Sequence, residues 1–238
     1  MIKILAIGNS FSQDATALLE LFDLDLYVRN LYIPGCPLSY HSELIKTKEP
    51  AYEYQECGES CIPKKISLED GLKSECWDFV TIQQASGLSG IEESYYPYIS
   101  ELVYYLRRSL DIPVVFHQTW AYETGSEHED FARYDYSQKK MYQCIKQTTE
   151  KVCAKENLSM IRTGELIARL RKYDFFNTER GGISLCRDGF HLSFNFGRCA
   201  AAGIWAKFFT KKIPDFFFRD SISEGFRIIR EELSQIDL

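Results

Sequence analysis

The chain has 238 residues, 45% of them hydrophobic, enough for one large domain with a filled core. A net charge of −6 and a pI of about 5.4, with Lys and Arg scattered, argue against a phosphate-tracking surface and so against nucleic acid as a partner. No run of eighteen apolar residues occurs and the chain starts straight into a core strand, so the expectation is a soluble, unexported, cytoplasmic protein with no membrane segment.

Ile2 to Ile7 is the first apolar, β-branched run and predicts a buried strand, followed by a helix at Ala15 to Phe22. Leu26 to Ile33 predicts a second strand and Leu38 to Thr47 a second helix. Ala51 to Ile66, with Tyr52, Tyr54, Cys57, Gly58, Cys61 and Pro63, breaks the rhythm and reads as an inserted hairpin before a short helix at Leu68 to Ser74. Further strands are predicted at Phe79 to Ile82, Val114 to His117 and Leu158 to Ile161, with helices at Tyr95 to Leu110 and Tyr136 to Glu156 between them. Phe175 to Arg187, with Gly181 and Gly182, predicts a mobile loop. Helices at Gly197 to Lys207 and Ser223 to Leu233 complete the pattern, and Phe216-Phe217-Phe218 reads as a packed turn. Strand and helix in alternation require right-handed crossovers and a parallel sheet covered on both faces, a doubly wound α/β sandwich over residues 1–238. Ligands bind such sheets at the carboxyl ends of the strands.

Eight cysteines are expected to stay reduced. Only Cys57 and Cys61 lie close together, and a C-x3-C pair with no second pair and no nearby His reads as small thiols in a hairpin before it reads as a zinc site. No metal or organic cofactor is expected.

Two segments carry chemistry. Ser10 follows the first strand in Gly8-Asn9-Ser10-Phe11-Ser12, where a sharp turn into a helix exposes a hydroxyl beside free backbone amides. Asp188-Gly189-Phe190-His191 places a carboxylate and an imidazole on one side of a helical turn or tight loop, so that Asp188 can hold Nδ1 while Nε2 faces the serine. The competing reading of Ser10 is a helix N-cap, although Ser12 is the better candidate for that role. His117, at the end of the fourth strand, is the rival base and a candidate substrate contact; Gln118, Trp120 and His41 are further candidates for the pocket wall.

Together these blocks resemble the SGNH, or GDSL-type, hydrolase superfamily, and the G-N-S-F-S form is similar to a distinct branch of it. The resemblance implies a three-layer α/β/α, flavodoxin-like sandwich with a five-stranded parallel sheet. It also implies Ser10 as nucleophile, His191 as general base and then acid, and Asp188 orienting the imidazole. In that superfamily a glycine after the second strand and an asparagine after the third complete the oxyanion hole with the serine N–H. Gly35, in Ile33-Pro34-Gly35-Cys36, matches the glycine. The asparagine has no match, since the chain reads Gln83-Gln84-Ala85-Ser86-Gly87 there; Gln84, or failing that Ser86, is the candidate replacement. The implied activity is ester hydrolysis through an acyl-enzyme, with removal of small acyl groups such as acetyl from a glycan or related alcohol. A binding protein that keeps the fold without efficient chemistry, and an acyltransferase using the same triad, are the alternatives. Nothing in the sequence fixes the oligomeric state.

Overall fold

Alternate residues of the first strand face opposite ways: Ile4 and Ala6 belong to one buried apolar cluster, Leu5 and Ile7 to another. A strand buried on both faces is apolar along its buried length, as Ile4 to Ile7 is, while Lys3 near its start reaches Glu75. The computed structural model describes residues 1–22, 25–56, 58–62, 64–215 and 223–237. Cys57, Pro63 and the Phe216-Phe217-Phe218 cluster lie outside the described residues.

The strands are β1 (Ile2–Gly8), β2 (Leu26–Tyr32), β3 (Glu53–Glu56), β4 (Glu59–Ser60), β5 (Phe79–Ile82), β6 (Val114–His117) and β7 (Ser159–Ile161). They form one sheet in the order β4-β3-β2-β1-β5-β6-β7. The five that read as apolar runs, β2, β1, β5, β6 and β7, pair in parallel. β3 joins the edge of β2 antiparallel, with Asn30 opposite Gln55, and β4 turns back against β3. The sheet therefore has seven strands, not five. The added pair is largely polar and only Gln55 of β3 is buried, so no apolar period marks it; its pairing to the open side of β2 makes it sheet.

The helices are α1 (Ser10–Thr16), α2 (Leu38–Thr47), α3 (Leu68–Lys73), α4 (Tyr98–Leu110), α5 (Gln138–Glu156), α6 (Thr163–Leu170), α7 (Phe196–Thr210) and α8 (Ser223–Gln235). α1 begins five residues before the predicted Ala15, because the Asn9 side chain accepts the Phe11 amide and caps it. Ser12 is not the cap. Its hydroxyl lies inside the helix, donating to Asn9 O at 2.9 Å and Asn30 Oδ1 at 2.8 Å. α6 was not predicted: Arg162 makes no side-chain cap, and the helix is held by packing, with Gly164 so close to Thr119 that a Cβ would lie 2.2 Å from its carbonyl oxygen. The stretch expected as a mobile loop contains short 3-10 turns at Asp174–Phe176 and Thr178–Arg180, with Phe176 buried.

Phe11 and Ala15 of α1, Leu166 and Ile167 of α6, Ile204 and Trp205 of α7 and Ile229 of α8 enter the cluster on the Ile4 side of the sheet. Leu38 of α2, Leu68 of α3 and Ile99 and Leu102 of α4 enter the cluster on the Leu5 side. The carboxyl ends of the parallel strands are left to carry the loops.

Candidate active site

Gly8 ends β1 where a side chain has no room: a Cβ there would sit 2.7 Å from Ser12 Oγ and 2.9 Å from Gln83 Cδ. The chain turns at once, and Ser10 opens α1, half-buried. Beneath it a polar relay crosses the ends of four strands. Asn9 Nδ2 donates to Cys36 O at 3.2 Å, Gln83 Nε2 donates to Asn9 Oδ1 at 2.7 Å, and Gln83 Oε1 lies 3.1 Å from His117 Nδ1. With the Gln83 oxygen accepting, the His117 proton is on Nδ1. The turns after β1, β2, β5 and β6 are thereby fixed to one another.

The second half of the site is a tight loop closed by a bridge between Cys186 and Leu192 and by Arg187 N donating to His191 O at 2.9 Å. Gly189 turns it at φ +87°, a conformation that side chains disfavour, and its carbonyl accepts Glu123 N at 2.7 Å. Asp188 Oδ1 accepts the amides of Phe190 at 3.2 Å and His191 at 2.8 Å, while Oδ2 lies 2.7 Å from His191 Nδ1. Burial pushes the Asp188 carboxyl up, but hydrogen bonds from the His191 ring and from these two amides outweigh it, and the group titrates below its ordinary value. A carboxylate on Nδ1 fixes the tautomer in which neutral His191 carries its lone pair on Nε2.

The two halves meet through Phe11, the residue after Ser10. Its ring centroid is 6.2 Å from that of His191 and 4.2 Å from that of Trp120. Among the described residues no hydrogen bond joins the Ser10 hydroxyl to the His191 ring.

Other candidates are placed differently from expectation. Gly35 is exposed in the β2–α2 turn, next to the Cys36 carbonyl that anchors Asn9. The Gln84 carboxamide is fully buried and committed. Its nitrogen donates to Ser94 O and Oγ, both at 3.0 Å, and its oxygen accepts Leu38 N at 3.0 Å and Ala85 N at 2.8 Å. No amide proton of Gln84 remains for an oxyanion. Ser86 shares its hydroxyl with Tyr122 at 2.8 Å.

The four pocket-wall candidates are core residues. His41 is stacked on Tyr52 and bonded to its hydroxyl at 2.9 Å, and burial pushes its pKa down to about 3. His117 is packed edge-on against Trp205, is pushed down to about 3 for the same reason, and has its Nδ1 held by Gln83 inside the core. Gln118 is spent on Thr149 and the Glu165 amide, and Trp120 is fully buried. For His117, Gln118 and Trp120 the cause is common: residues that continue a doubly buried strand remain in the core for a few positions past its end, whereas His41 lies on the buried face of α2. Asn9 and Gln83 escaped notice in the sequence, where a carboxamide beside a strand end carries no signal of its own.

Among the described residues there is no group of three or more His, Cys, Asp or Glu that could hold a metal ion, and no helix is long and apolar enough to cross a membrane.

The fold is that of solved proteins of the SGNH hydrolase type. One, provisionally described as an SGNH hydrolase from Slackia heliotrinireducens, superposes with a TM-score of 0.60 at 19% identity, over 87% of this chain and 97% of that one. An acetyl xylan esterase, AlAXEase, superposes with a TM-score of 0.57 at 15% identity, over 86% and 98%. A nearer likeness is a DUF4886 family protein from Bacteroides uniformis, with a TM-score of 0.88 and 34% identity over 98% of this chain and 93% of that one. The model of that family, a domain of unknown function, matches residues 3–224, and the chain belongs to the DUF4886 family. No curated protein matches the sequence.

Proposed function

We propose that the protein is a serine ester hydrolase that works through an acyl-enzyme on Ser10 and removes small acyl groups, acetyl above all, from a carbohydrate or related alcohol. The observation that carries the reading is the 2.7 Å contact between Asp188 and His191 Nδ1. It leaves Nε2 as the basic atom of a ring that lies beside the first turn of α1. The likeness in fold to an acetyl xylan esterase supports the choice of acyl group.

In this mechanism Ser10 Oγ attacks the ester carbonyl as its proton passes to His191 Nε2. The same proton then goes to the departing alkoxide oxygen, leaving acyl-Ser10, and a water repeats the sequence to release the acid. Asp188 stabilises the imidazolium at each stage and keeps its own charge. The mechanism requires the Ser10 Oγ to His191 Nε2 hydrogen bond to form when substrate binds, as catalytic hydrogen bonds often tighten only then. The oxyanion is received by the backbone amides of Ser10 and Gly35. With the Gln84 amide committed elsewhere, a side-chain donor worth about 3 kcal/mol is missing unless Ser86 turns from Tyr122, so turnover should be slow.

That same commitment favours one alternative, a protein of this fold that binds an ester or glycan without turning it over. Hydrolysis of p-nitrophenyl acetate by the parent and by Ser10→Ala separates the two, together with fluorophosphonate labelling and mapping of the modified peptide. The hydrolase predicts a label on Ser10 and loss of turnover in the variant. Equal rates in both proteins and no label refute it.

A further inference from the structure

We propose that Asp14 is the positioning residue that sets the register of Ser10 against His191, an inference that rests on reading those two residues as nucleophile and base. Asp14 lies one turn beyond Ser10 on α1 and is 0% exposed. A carboxylate in so dry a place needs compensation, and two guanidinium groups supply it. Arg198, on α7, donates to Oδ1 through Nε at 2.9 Å and approaches the same oxygen through Nη2 at 2.7 Å; Arg187 Nη1 lies 3.0 Å from each oxygen. The remaining bond is the informative one: Oδ2 accepts the main-chain amide of Leu192, the residue after His191, at 2.8 Å. Arg187 Nη1 also donates to the Leu192 carbonyl. The backbone beside the base is thus tied to a side chain on the helix that begins with the nucleophile.

Proton transfer between Ser10 and His191 requires about 2.6–3.2 Å between heavy atoms. A misplacement of about 1 Å costs roughly 100-fold in rate. An anchor one turn from the serine and one residue from the histidine controls that distance directly, without touching substrate.

Asp14→Asn is close to isosteric and tests this. Its single oxygen satisfies the two guanidinium groups, and its NH2 then faces the Leu192 N–H, so the bond to the loop is lost. The expected result is a kcat on p-nitrophenyl acetate lower by roughly 100-fold with KM unchanged. Fluorophosphonate capture of Ser10 should slow by the same factor, and amide exchange at Leu192 should quicken. Arg187→Gln keeps the buried Asp14–Arg198 pair, and so the fold, and should shift kcat and labelling in the same direction by a smaller factor. A purely structural carboxylate would lower the melting temperature yet leave kcat and labelling of the folded variants at parental values, and that result overturns the proposal. A parent protein in which Ser10 is neither labelled nor required removes the underlying reading, and this proposal with it. Parental activity that depends on Ser10 but is indifferent to Asp14→Asn and Arg187→Gln removes the proposal alone.

Discussion

The indole N–H of Trp120 donates to the carbonyl of Phe190 at 2.7 Å, while the indole face stacks on Phe11 with 4.2 Å between centroids. One buried side chain thus touches the neighbour of Ser10 and the neighbour of His191. It acts as a strut between the two segments, where the sequence made it a candidate for the pocket wall.

Trp120→Phe should keep much of the stack and lose the hydrogen bond, leaving the Phe190 carbonyl unpaired. The expected cost is about 1–3 kcal/mol in urea unfolding. On p-nitrophenyl acetate kcat should fall while KM holds. A rise in KM with kcat unchanged would instead return Trp120 to the substrate pocket.

Gln84→Leu separates a structural amide from an oxyanion donor. The substitution removes the side-chain partner of the Leu38 and Ala85 amides and of the Ser94 carbonyl, each loss worth roughly 1–3 kcal/mol where the group stays dry. Stability should drop clearly, and the kcat of the folded variant should stay near the parental value. A loss of about 100-fold in kcat at parental stability would mean that the amide serves the oxyanion after all.

Acid should destabilise the fold through His41 and His117. Both titrate at about 3 in the native protein against an ordinary 6.5, so on acidification the unfolded chain takes up the protons first. Their contribution is complete above pH 6.5 and is lost as pH falls toward 3, at up to about 1.4 kcal/mol per pH unit for each ring. Urea unfolding at a series of pH values should show a slope approaching two protons, and His117→Gln should reduce it by one. A flat profile between pH 6 and 4 would contradict the burial of these rings as neutral imidazoles.

Much of the architecture was legible because it is local. Ile2 to Ile7, Phe79 to Ile82 and Val114 to His117 are apolar at most consecutive positions, as strands buried on both faces are, so their places could be read within a residue or two. The approach of Asp188 to His191 is local as well, since three residues of a tight loop bring the side chains together whatever surrounds them. The hairpin at Glu53–Ser60 was recognisable as a break in rhythm but not as part of the main sheet, because β3 gains its partner from β2, more than twenty residues earlier in the chain, and β4 joins only through β3.

The sequence by itself determined the order of strands and helices and the two segments that hold a hydroxyl and an acid–imidazole pair, since side-chain period and short spacing act over a few residues. Only the tertiary structure decided that Gln83 braces Asn9 while Gln84 faces Ser94, that His41 and His117 are buried and neutral, and that Asp14 reaches the amide of Leu192. Those outcomes depend on which distant backbone arrives opposite each side chain once the helices have packed against the sheet, and short-range pattern contains no record of that.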